Sequence, residues 1–176
     1  ELQQTLLVND CYLLSIDRKV SSLSLKSSLS GRANAEILRN GKDRNFTNEQ
    51  NKITLKNNES VFYSFNEPTQ VETVKIVFDS DLERLTFDMH ECEKHHSMRC
   101  NVLDDSPLMN MPKTLVKSYS LEITFADGKK ETIKETENKK RNVLIAIGSK
   151  VCNVKLTVYE NWGRSESSGL FTFELY

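Results

Sequence analysis

The chain has 176 residues and a mass of 20.2 kDa, enough for one domain with its own apolar core and no need of disulfide or metal staples. Its 24 Lys and Arg stand against 25 Asp and Glu, so a net charge of −1 provides no long-range pull toward nucleic acid or an anionic membrane. No apolar run approaches the roughly 20 residues of a spanning helix, and the start carries no basic, apolar and small-residue series of a secretory signal.

Residues 1–14 carry Leu2, Leu6 and Leu7, then Cys11, Tyr12, Leu13 and Leu14. This pattern predicts the end of a helix passing into an extended segment, a link from an upstream domain, since the chain begins at Glu1 rather than Met. Residues 15–176 are then one domain. Between Val20 and Ser30, Leu23 and Leu25 alternate with Ser22, Ser24 and Lys26, which suits a first strand or a connector. From Gly31 to Asn58, Asn, Gly, Lys and Arg dominate, as in Arg39-Asn-Gly-Lys-Asp-Arg-Asn45, and Asn-Gly favours the positive φ of loops.

Strand patterns follow. Val61, Tyr63 and Phe65 share one face, and after Pro68 so do Val74, Ile76 and Phe78. Leu85-Thr-Phe-Asp88 reads as a further strand before a long polar loop to Met111. Leu121, Ile123 and Phe125 run into Ala126-Asp-Gly128 and Lys130–Lys134, the signature of a β-hairpin. Val143, Ile145 and Ile147, then Val154, Leu156 and Val158, mark two more strands, and Phe171, Phe173 and Leu175 point inward from the last. About eight short strands without a sustained helical period predict an all-β, antiparallel two-sheet sandwich. A jelly roll is favoured over an immunoglobulin topology, because the single Trp lies after all four cysteines.

Four cysteines in a chain this long make no disulfide framework, and most read as reduced. Cys152 opens an apolar run where a small buried residue is expected. Cys92 and Cys100 lie close enough in sequence to pair, a bond that only their Cα separation decides. His90-Glu-Cys-Glu-Lys-His-His-Ser-Met-Arg-Cys100 holds all three histidines, side chains that suit zinc. Lacking a Cys-x-x-Cys pair or a second ligand pair elsewhere, it reads first as a solvated loop, with His90, Cys92, His95, His96 and Cys100 as the metal-ligand candidates.

No Gly-x-Ser-x-Gly elbow or phosphate-cradling glycine loop occurs, and every His lies in one segment, so no catalytic residue is assigned. Asp79 and Asp81 read as strand-ending Asx residues rather than an acid–base pair. Trp162, flanked by Asn161 and Arg164, has two readings: a platform for an apolar ligand face whose polar neighbours orient hydroxyls, or a plug at one end of the sandwich, which is favoured because a lone Trp is usually largely buried. Arg39, Asn40, Asp43 and Arg44 form a second candidate rim, against the reading of a solvated loop.

Taken in order, Leu2–Tyr12, Ala35-Glu-Ile-Leu-Arg-Asn-Gly41 before Arg44, Val74–Arg84, Met111-Pro-Lys-Thr-Leu-Val-Lys117 and Asn161-Trp-Gly163 resemble the C-terminal domain of a family of bacterial FAD-dependent oxidoreductases. The resemblance implies a galactose-binding-like, discoidin-type jelly roll behind an FAD-binding domain, with FAD held upstream and no cofactor in this chain. It implies glycan binding, in some relatives a structural calcium, at loops near one end of the sandwich. The expected function is therefore a non-catalytic accessory module that meets carbohydrate through Arg39, Asn40, Asp43, Arg44 and Trp162. The rivals are a purely structural or oligomerisation module and a free-standing bacterial adhesin-like domain.

Overall fold

Two long antiparallel strands, β3 (Ser60–Phe78, 19 residues) and β6 (Asn142–Asn161, 20 residues), organise the chain. The computed structural model describes Leu23 and residues 26–45, 50–80 and 111–176, and adds β1 (Ser28–Ser30), β2 (Ile53–Lys56), β4 (Val116–Phe125), β5 (Lys130–Glu135) and β7 (Ser167–Leu175). Neighbours pair in the order β2-β7-β3-β6-β4-β5, all antiparallel, with β1 beside β3. A 3-10 turn, Ala35–Arg39, packs on β7 and places Leu38 in the core. Among the described residues no helix is long and apolar enough to cross a membrane.

This continuous ladder is folded over on itself. A straight strand rises about 3.3 Å per residue, which would set Tyr63 roughly 40 Å from Ile76. Yet the Tyr63 hydroxyl donates to the Phe173 carbonyl at 2.5 Å, and Phe173 is the ladder partner of Ile76. Likewise Asn138, just before β6, accepts a hydrogen bond from Trp162, just after it. The result is a two-layer antiparallel sandwich: β2, β7 and the C-terminal half of β3 with the N-terminal half of β6, facing β1, the other halves of β3 and β6, β4 and β5. Tyr63 against Phe173 (ring centroids 5.0 Å apart) and Phe78 against Tyr119 (5.2 Å) bridge the layers.

Sequence breakers sit at the fold-over corner. The β3–β6 ladder lapses between Ser64 and Thr69, so Pro68, which has no N–H to donate, leaves no ladder bond unmade there. Gly148 adopts φ 63° on the opposite strand. The two apolar runs on each side of Pro68 are therefore one strand, and so are the runs at 143–147 and 154–158. Cys152 is also displaced from its expected burial: Thr124 pairs with Asn153 and Phe125 with Val151, leaving Cys152 without an opposite residue, free and half-exposed. The 121–134 hairpin forms as the alternation and Asp-Gly turn require. Among the described residues between 20 and 30, Ser28–Ser30 is strand and Leu23 is helical, while the expected 31–58 loop contains β2 and the 3-10 turn. The linker at 1–14, the 85–88 strand and the 90–100 His/Cys cluster lie outside the described residues.

The core runs between the layers, from Val61, Tyr63, Leu121, Ile123 and Leu156 on one to Val74, Ile76, Phe173 and Leu175 on the other. Because Tyr63 is fully buried, Tyr63→Phe should cost about 1 kcal/mol in urea denaturation through loss of the interlayer hydrogen bond. An unchanged midpoint would show that this bond contributes nothing net.

Candidate functional site

With the corner closing one end, the connections gather at the other: residues 57–59, the approach to β4 at 112–115, the 136–141 crossover and the 162–166 turn. Asn138 organises this end. It is 4% exposed, and its side-chain amide donates to the carbonyls of Val116 (2.8 Å) and Lys140 (3.0 Å) while its Oδ1 accepts from the Lys140 N–H (3.0 Å). Its own carbonyl accepts from Trp162 Nε1 at 2.7 Å. Trp162 is half-buried against the core, and Lys117 Nζ lies 5.3 Å from its ring centroid. The indole thus ties the end of β6 to the crossover, with part of its surface left to solvent. Its neighbour Asn161 is fully buried and turned inward, donating to Ser165 Oγ (2.7 Å) and the Ser167 carbonyl (2.8 Å); Arg164 is exposed at φ 56°.

The other four sequence candidates divide. Arg39 turns back toward β1, donating to the Ser27 carbonyl at 2.6 Å and pairing with Glu36, and its side chain is only 13% exposed. Asn40 donates to Asn51 Oδ1 at 3.0 Å, and Asn51 donates to the Arg44 carbonyl at 3.3 Å, which knots the loop across its base. Asp43 anchors this loop on the outer face of the β7 layer: Oδ1 accepts from Thr172 Oγ1 (2.6 Å), Oδ2 from Lys75 Nζ (2.9 Å), and its carbonyl from Arg141 Nη2. Asp43 and Arg44 therefore lie beside Arg141 of the crossover, three residues from the Asn138 that holds Trp162, whereas the head group of Arg39 is spent on local bonds.

Sequence reasoning missed the residues that complete this cluster. The β3–β7 ladder shifts between Val77↔Thr172 and Phe78↔Leu170, so Phe171 is an extra residue. Leu170 and Phe173 enter the core; Phe171, though expected to point inward, does not join it. Instead Arg141 lies 5.6 Å and Lys52 5.8 Å from its ring centroid, in cation–π arrangement. Lys52 also pairs with Asp79 at 2.7 Å, so that carboxylate serves an ion pair beyond the strand-ending role read from the sequence. Burial holds the Arg141 guanidinium below its ordinary proton affinity, with Asp43 and Asp79 pulling the other way and Arg44 adding to the effect of burial. Among the described residues no three Asp, Glu, His or Cys side chains converge as a metal site.

No family model matches the chain, and no curated protein matches it in sequence. Solved structures do match in shape. A fucose-binding module from Streptococcus pneumoniae aligns with a TM-score of 0.56 at 11% identity over 89% of this chain and 98% of its own. A lectin-binding domain of lectinolysin, a mutant complexed with Lewis b, gives 0.54 at 10% over 89% and 97%. The family 32 carbohydrate-binding module of Streptococcus pneumoniae EndoD gives 0.52 at 14% over 80% and 83%. The fold is thus that of the galactose-binding-like β-sandwich.

Proposed function

We propose that this chain is a non-catalytic carbohydrate-binding module whose ligand meets the loop end of the sandwich. The observation that carries the reading is a half-exposed Trp162 bonded to the crossover whose Arg141 meets the Asp43 loop, on a fold shared with modules described as binding fucose, Lewis b or other carbohydrate. An aromatic face beside fixed polar groups is what a sugar requires, since its ring presents C–H groups on one side and hydroxyls at the rim.

The test is a glycan panel on the purified chain with Trp162 fluorescence recorded during titration. Binding accompanied by a shift of this single indole supports the reading. No glycan bound, with fluorescence unmoved, would overturn it in favour of a module that only buttresses another domain or an oligomer interface.

The ordered motifs at 35–41, 74–84, 111–117 and 161–163 support a finer reading, in which the module follows an FAD-binding domain of the same polypeptide and presents carbohydrate to it. Protein expressed from the complete gene would then show a flavin absorption spectrum absent from this chain alone; a colourless product would leave an adhesin-like module.

A further inference from the structure

The crossover that closes the loop end carries three consecutive cations, Lys139, Lys140 and Arg141. Its backbone is held on both sides of Lys140 by the Asn138 side chain, while Lys139 and Lys140 are exposed and make no ion pair with a described residue. The strip is positioned, and its charges face water.

Arg141 differs from an ordinary surface arginine. It is half-buried, its Nη2 bonds only the neutral Asp43 carbonyl, and its Nε is buried without a hydrogen-bond partner. Among described groups, the two nearby carboxylates are already engaged, Asp43 by Lys75 and Thr172 and Asp79 by Lys52. Next to Asp79, Ser80 is 8% exposed and its hydroxyl is likewise unpartnered. A guanidinium partly removed from water, with the Phe171 ring beside it and no bonded carboxylate, gains from an anion that meets it, and its fork suits two oxygens of a carboxylate or sulfate.

We propose that the loop end selects an acidic saccharide, one bearing a carboxylate or sulfate, with Arg141 and the adjoining Lys139 and Lys140 as the anion-recognising residues. This rests on the carbohydrate reading and narrows its ligand class.

Titration calorimetry of the full chain would compare oligogalacturonate with a neutral galactose oligomer of equal length. The acidic sugar should bind at least about tenfold more tightly. That preference should shrink as salt is raised and fall about tenfold in the Lys139→Ala/Lys140→Ala double variant, whose exposed side chains leave folding intact. Arg141→Gln should abolish it, with the double variant carrying the test should Arg141→Gln fail to fold. Equal affinity for both sugars, or a double variant that binds as the parent does, would overturn the acidic preference while the carbohydrate reading stands. Failure of both sugars together with a silent glycan panel would overturn both. Duplex DNA bound as tightly as oligogalacturonate would make this a general polyanion surface and overturn the proposal.

Discussion

Asn138→Ala is expected to lower stability by about 3 kcal/mol and to shift Trp162 emission to the red. The side chain makes three hydrogen bonds with Val116 and Lys140, and Val116 has no exposed surface, so water cannot replace the lost donor at its carbonyl. An unmet buried acceptor costs about 1–3 kcal/mol, and the two bonds to the exposed Lys140 add a smaller share because solvent recovers part of them. The indole responds because its N–H is bonded to the carbonyl of the same residue. Asn138→Asp should be at least as damaging, since it sets a carboxylate against the Val116 and Lys140 carbonyls. Urea denaturation with fluorescence measures both effects; a loss well under 1 kcal/mol with unmoved emission would show that other contacts hold the crossover.

Gly31→Ala is expected to cost about 3 kcal/mol or more, against about 1 kcal/mol for Gly128→Ala. Both glycines have positive φ, 108° and 82°, so alanine is strained at either. They differ in surroundings. A Cβ at Gly31 would stand 2.4 Å from the Ser60 carbonyl oxygen and 3.1 Å from Val61 Cα, backbone atoms fixed by the β3 ladder, whereas nothing lies within 4 Å at Gly128. The clash falls where the chain leaves β1, next to the ion pair between Arg32 and Glu59, so relief would detach β1 from β3. At roughly 2–4 °C per kcal/mol for a chain of this size, the two variants should separate clearly in thermal unfolding. Equal losses would mean that φ strain, not the close approach, governs Gly31.

Legibility in the sequence followed the range of the interactions. The 121–134 hairpin was readable because alternation and an Asp-Gly turn are both local. The continuity of β3 and β6 was not: Pro68 and Gly148 signal breaks, and only knowledge that the ladder lapses at the corner turns them into parts of longer strands. Phe171 follows the period of two on paper, but an extra residue against β3 takes it out of the core and under two cations. For Trp162 the sequence offered a plug or a platform; the hydrogen bond to Asn138 ties the indole into the loop end, while its partial exposure leaves a surface for ligand.

What the sequence determined by itself is the all-β class, the antiparallel hairpin and most of the inward-facing apolar residues, because these follow from side-chain alternation and turn chemistry over a few neighbouring positions. The tertiary structure alone decided which charged residues meet. Asp43 and Arg141 are 98 positions apart, and Asp43 and Thr172 are 129 apart. No local pattern encodes such pairs; they arise where the loop that carries Asp43 is laid across the outer face of β7 and β3, beside the start of β6.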